Sequence, residues 1–114
     1  MKALSSLDLN IKAAVVDDER LARLRLTRLL NEIGVDVVDE AKNGRDAVAL
    51  AKKPEIDLLL LDINMPEMSG IEAAKLISEL GDAAPSIIFC TAYAEHAVDA
   101  FATEAVAYLL KPVS

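Results

Sequence analysis

Tryptophan is absent, aromatic residues make up only 4% of the chain, and Cys90 and His96 are the only residues of their kinds. Cys90 closes the apolar stretch Ile87-Ile88-Phe89-Cys90. With no partner thiol and no base adjacent in sequence, it reads as buried and inert rather than disulfide-bonded or catalytic. Zinc-ligand spacing, a P-loop and a Rossmann glycine pattern are all missing. Positive charge is scarce as well: 12 Lys and Arg face 19 Asp and Glu, a net charge of -7. That balance argues against nonspecific nucleic-acid binding by this segment. The longest apolar runs are strand-sized, too short to span a membrane. Met1 to Lys12 is interrupted by Asp8 and Asn10 and lacks the continuous apolar region of a signal peptide. A reducing, cytoplasmic setting is compatible with this pattern.

What the chain does have is a set of aliphatic runs that stop on charge. Asp17 and Asp18 end Ala13-Ala14-Val15-Val16, Asp62 ends Leu58-Leu59-Leu60-Leu61, and Lys111 ends Val106-Ala107-Tyr108-Leu109-Leu110. Strands of a parallel sheet read as unbroken apolar stretches because helices cover both faces. In an open sheet of that kind, ligands bind beyond the carboxyl ends of the strands, where the strand order reverses. Three carboxylates and one ammonium are therefore expected at one crevice. Like charges at close range oppose one another's ionisation, so the cluster calls for a divalent cation beside a reactive aspartate.

A chain of 114 residues with 54% apolar content is one domain with an aliphatic core. Periodicity and punctuation predict strands over 11–17, 35–41, 56–62, 87–91 and 106–110. Helices are expected over 19–33, from Asn43 to about Lys53, over 70–80 and over 95–102, with Gly81 to Pro85 as a turn. In the first helix Ala22, Leu26, Leu29, Leu30 and Ile33 form the expected inward stripe. Arg20, Arg23, Arg25 and Arg28 fall outside it and read as a solvated face or as a docking surface. Strands alternating with helices imply right-handed crossovers and a parallel sheet. Five strands but only four helices are expected, so one face lacks a closing helix. Leaving a few hundred Å² of apolar surface uncovered costs on the order of 5–10 kcal/mol. A second copy, exchanged elements, or the N-terminal Leu4, Leu7 and Leu9 are the expected cover.

Val15-Val16-Asp17-Asp18-Glu19, the run Leu60 to Gly70, Thr91-Ala92-Tyr93 and Tyr108-Leu109-Leu110-Lys111-Pro112 resemble, in order and separation, the receiver domain of two-component response regulators. The stretch from Thr91 to Val113 resembles the LytTR class, in which a DNA-binding domain follows the receiver. The resemblance implies a flavodoxin-like, doubly wound five-stranded sheet in the order 2-1-3-4-5. It also implies that 1–10 is an extension and 11–114 a receiver truncated before its last helix. Asp62 would be the phosphoacceptor, taking a phosphoryl group from a sensor histidine kinase. Asp18, Asp62 and the Asn64 carbonyl would ligate Mg²⁺, with Asp17 acting through water. Lys111 would pair with the phosphoryl oxygens, Thr91 would be the switch hydroxyl, and Tyr108 the aromatic that follows it. Thr91, Tyr108 and the nearby helix would then alter an association surface, and a homodimer or exchanged dimer is expected through the face left uncovered. The arginines of the first helix would serve kinase docking. His96, a lone histidine, is not expected to carry phosphate.

By this reading the chain is a phosphoacceptor and not an enzyme. Two rivals remain open on sequence alone. One is an aspartate-nucleophile phosphatase of haloacid-dehalogenase type, which needs a second aspartate two residues after the nucleophile; that position is Asn64. The other is a receiver-like module that switches without phosphate.

Overall fold

The leucine run lies in the middle of a parallel sheet. The computed structural model describes residues 10–91 and the strand 107–110. In chain order the elements are β1 (Lys12–Val16), α1 (Arg20–Glu32), β2 (Asp36–Ala41), α2 (Gly44–Ala51), β3 (Leu58–Asp62), α3 (Gly70–Ser78), a 3-10 turn (Gly81–Ala83), β4 (Ser86–Thr91) and β5 (Ala107–Leu110). All five residues of β3 are buried, because β1 and β4 flank it and helices lie over both faces. β1 pairs with β3 from Ala13↔Leu58 to Val16↔Leu61, and β3 pairs with β4 from Leu58↔Ser86 to Asp62↔Cys90. β2 lies outside β1, and the backbone of β5 pairs with β4 from Ile88↔Ala107 to Thr91↔Leu110. Every pairing is parallel, as the alternating pattern predicts.

The strands divide their side chains between two cores, as a two-residue period requires. Ala14, Val16, Leu59, Leu61, Ile87 and Phe89 join Ala47, Leu50, Ala73, Ala74 and Ile77 of α2 and α3. Ala13, Val15, Leu58, Leu60 and Cys90 join Leu26 and Leu30 of α1. Each leucine so buried contributes about 2 kcal/mol. Cys90 is fully buried, in keeping with an inert thiol. Among the described residues no helix is long and apolar enough to cross a membrane. The expected helix 95–102 and residues 1–9 of the expected extension 1–10 lie outside the described residues.

The helix ends follow local chemistry. Asn43 accepts from the Asp46 N–H at 2.8 Å and starts α2, the capping role expected of it. Ser69 and Glu72 form a reciprocal capping box at the start of α3. At the end of α1 one expectation fails. Helical spacing puts Ile33 on the inward stripe, but it is 75% exposed. The chain leaves the helix at that residue, and Gly34 follows with φ +89°, so the helical spacing no longer aims Ile33 at the sheet.

β2 is an edge strand that exposes Asp36, Val38 and Glu40 and half-buries Val37 and Asp39. Its charges discourage pairing with another chain. Lys53, just past α2, donates to Asp39 Oδ2 at 2.8 Å. That hydrogen bond holds the Asp39 carboxyl below its ordinary pKa, helped by the Glu40 N–H and opposed by partial burial. The same bond raises the Lys53 ammonium. A lowered carboxyl stabilises the fold above its unfolded pKa and stops doing so as pH falls through the folded value. A raised ammonium stabilises below its unfolded pKa and stops as pH rises through the folded value. The pair is thus fully present at neutral pH. Lys53→Met is expected to lower stability slightly at pH 7. In urea titrations the difference from wild type should vanish in acid below the usual carboxylate range, and in base above the usual lysine range.

Candidate functional site

The sheet order reverses between β1 and β3, and both strands end at that point. Val16 is registered opposite Leu61, so Asp17 and Asp62 leave their strands side by side. Asp17 is fully buried, Asp62 is 5% exposed, and Asp18 is exposed. Carboxylate oxygens of Asp17, Asp18 and Asp62 all lie within 4.8 Å of one another. Residues 45 positions apart in sequence are therefore gathered at one rim, as the ends of the apolar runs predict.

Asp17 is held through its backbone and its side chain alike. Its N–H donates to the Ala41 carbonyl at 3.1 Å, and its Oδ1 accepts from the Glu19 N–H at 2.9 Å. That second bond is an Asx-turn that starts the chain into α1. Neither Asp17 nor Asp18 caps α1: Glu19 is the capping residue, and its side chain makes no capping bond. The Asp17 carbonyl accepts from Arg23 Nη1 at 2.8 Å, and Arg23 Nε donates to Glu40 Oε1 at 3.0 Å. Arg23 keeps only 12% of its side chain exposed. It is thus neither part of a solvated face nor free to dock. Its position three residues before Leu26 and seven before Leu30, at inward spacing, is the signal that separates it from Arg20, Arg25 and Arg28.

The loop after β3 is pinned at both ends and twice between. The Gly70 N–H donates to the Ile63 carbonyl at 2.8 Å and closes it. Met65 is buried in the α2–α3 core. The Met68 N–H donates to the Pro66 carbonyl at 2.8 Å across Glu67, whose φ is +69°. This is a γ-turn centred on a non-glycine residue in the left-handed region, which costs on the order of 1 kcal/mol. Met68 also fills the space beside Gly44, where an added Cβ would lie 2.9 Å from Met68 Cγ. Gly70 is tighter still. A Cβ there would fall 2.0 Å from the carbonyl oxygen of Asp62 and 2.9 Å from the Ile63 Cα. Nothing in the local sequence marks this contact, because only the folded loop brings Gly70 back onto Asp62. A cleft of about 120 Å³ between Asn43, Gly44 and Arg45 and the Pro66–Met68 segment adjoins the loop but is not lined by the three aspartates.

Three carboxylates so placed suit a small hard cation. Magnesium takes six oxygen ligands at about 2.0–2.1 Å, which puts opposite ligands about 4.2 Å apart. The 4.8 Å limit on the aspartate oxygens meets that requirement with little side-chain movement. Asn64, two residues beyond Asp62, carries an exposed side chain. Thr91 ends β4 one residue past Cys90, the partner of Asp62, and its backbone pairs with Leu110. Tyr108 pairs through its backbone with Phe89. Lys111 lies outside the described residues, as do the side chains of Thr91 and Tyr108.

Comparison with known proteins gives this geometry its family. Residues 13–114 match the response regulator receiver domain. The positive alginate biosynthesis regulatory protein of Pseudomonas aeruginosa is 46% identical over 101 residues, covering 87% of this chain and 40% of that protein. The transcriptional regulatory protein LytR of Staphylococcus aureus is 41% identical over 103 residues, covering 90% and 42%. Among solved structures, the response regulatory domain of MrkE from Klebsiella pneumoniae is 37% identical with a TM-score of 0.81, covering 91% of this chain and 85% of that one. A chain of the CheX–CheY–BeF3–Mg²⁺ complex from Borrelia burgdorferi is 30% identical with a TM-score of 0.83, covering 91% and 80%. The chain belongs to the response regulator receiver domain family. Such domains are phosphoacceptors rather than independent catalysts. The chain spans about 40% of the length of the curated relatives it matches.

Proposed function

We propose that this domain accepts a phosphoryl group on Asp62 from the phosphohistidine of a sensor kinase, with Mg²⁺ held by Asp17, Asp18, Asp62 and the Asn64 carbonyl. The observation that carries the reading is the meeting of three aspartate carboxylates within 4.8 Å at the switch point of the sheet. The similar Borrelia burgdorferi complex, which contains BeF3 and Mg²⁺, supports it.

In the transfer an Asp62 carboxylate oxygen forms the new bond to phosphorus as the phosphorus–nitrogen bond of the phosphohistidine breaks. The electron pair of that bond stays on the imidazole nitrogen, and Asp62 becomes an acyl phosphate. Bound magnesium would supply charge neutralisation for the carboxylates and the phosphoryl oxygens. Asp62 is nearly buried, and its attacking oxygen is positioned by the register of β3 and the pinned loop that follows. Lys111 pairs with the phosphoryl oxygens, and Thr91 donates its hydroxyl to them with Tyr108 following. That movement biases a two-state association surface. Asn64, the residue two beyond the nucleophile, carries an amide that cannot relay a proton, which disfavours steady phosphatase turnover.

The rest of the reading is built on the same resemblance. Residues 11–114 form the receiver, with a doubly wound sheet in the order 2-1-3-4-5, and residues 1–10 precede it. The chain is read as the receiver of a cytoplasmic LytTR-class regulator in which a DNA-binding domain follows; its similarity to a transcriptional regulatory protein, of which it covers 42%, supports the regulatory role. A homodimer is the proposed active assembly. The test is intact-mass analysis after incubation with acetyl phosphate and Mg²⁺. One phosphoryl group per chain, mapping to Asp62, is expected. A chain that stays unlabelled, or carries the label elsewhere, contradicts the proposal.

A further inference from the structure

Asp17 and Asp18 share one peptide plane, because the Asp17 carbonyl and the Asp18 N–H belong to the same rigid unit. The peptide before that plane is held by the Asp17 N–H bond to the Ala41 carbonyl, and the peptide after it by the Asx-turn bond from the Glu19 N–H to Asp17 Oδ1. The Asp17 carbonyl itself points to a side chain, accepting from Arg23 Nη1 at 2.8 Å. Arg23 is in turn braced by Glu40 on β2, 3.0 Å from its Nε. One guanidinium therefore ties the first turn of α1 to the ends of two strands, at the residue whose neighbour is the exposed carboxylate of the cluster.

We propose that Arg23 is a positioning residue for the cation site, setting the Asp17–Asp18 peptide so that both carboxylates stay within reach of Asp62. This rests on the reading of the cluster as a Mg²⁺-dependent phosphoacceptor. Groups behind metal ligands commonly tune affinity by about 10-fold or more. Arginine suits the task because its planar fork serves two acceptors at once, where a lysine ammonium is a single compact charge on a flexible stem. Arg23→Met keeps an apolar stem and removes both bonds. Arg23→Lys keeps the charge and can restore one of them.

The experiment titrates Mg²⁺ without any phosphodonor, following the amide resonances of Asp18 and Asp62. Arg23→Met is expected to bind Mg²⁺ about 10-fold more weakly than wild type, with Arg23→Lys between the two. Asp39→Asn, which removes the other cross-link from β2, controls for stability: it should lower thermal stability and leave Mg²⁺ affinity unchanged. If Arg23→Met does not fold, Arg23→Lys decides alone, and its binding must be weaker than wild type. Wild-type affinity in every folded Arg23 variant overturns the proposal while leaving the cation site standing. No response in wild type itself overturns the cation reading, and the role of Arg23 with it.

Discussion

Asp62→Asn is expected to take up no phosphoryl group from acetyl phosphate plus Mg²⁺ under conditions that label the wild type. An asparagine amide has the same shape as the carboxylate but lacks the anionic oxygen that forms the bond to phosphorus. It also removes one of the three charges that meet within 4.8 Å, so the cation is held less tightly. The fold should be retained, because the volume of the side chain is kept and mutual repulsion at the rim falls. Loss of label with an unchanged circular dichroism spectrum is thus the expected pair of results. Equal labelling of mutant and wild type contradicts the assignment of Asp62.

Gly70→Ala is expected to destabilise the domain by about 3 kcal/mol, near the upper end for overpacking. The added methyl would fall 2.0 Å from the Asp62 carbonyl oxygen, and its next neighbours, the Asp62 carbonyl carbon and the Ile63 Cα at 2.9 Å, are backbone too. No flexible side chain is there to move aside. Either α3 is pushed off the sheet or the end of β3 shifts. A shift of β3 displaces Asp62 itself, so the folded fraction of the mutant should also label more slowly than wild type. Urea titration measures the first effect and a labelling time course the second. A midpoint equal to that of wild type would show that the loop relaxes freely, against the pinned geometry described above.

The parts of this site that sequence reveals are those written in local pattern. Asp17, Asp18 and Asp62 stand out because each follows an aliphatic run, and parallel strands bring the ends of such runs together. Asn43 and Ser69 announce helix starts by their side-chain chemistry. Lys111 ends an apolar run as well, although its pairing with phosphoryl oxygens comes from the resemblance alone. Thr91 and Tyr108 carry no such mark: a threonine and an aromatic in strands are ordinary, and only the family resemblance singles them out. Arg23 is grouped by charge with three other arginines on the same helix, and only its spacing to Leu26 and Leu30 tells that it turns inward. Ile33 departs from its apolar spacing because the helix ends one residue before it. Gly70 and the left-handed Glu67 depend on how the loop of residues 63–70 folds back over β3, a tertiary fact with no period to betray it.

Acidic side chains from two separate strand ends converge on one point, and the whole account stands on that point holding a metal. A crystal structure of the full chain grown with Mg²⁺ measures this directly. The account predicts a single octahedral ion at about 2.0–2.1 Å from oxygens of Asp18 and Asp62, with Asp17 beside it. Magnesium bound only elsewhere, or a rim left without an ion at saturating Mg²⁺, would contradict it.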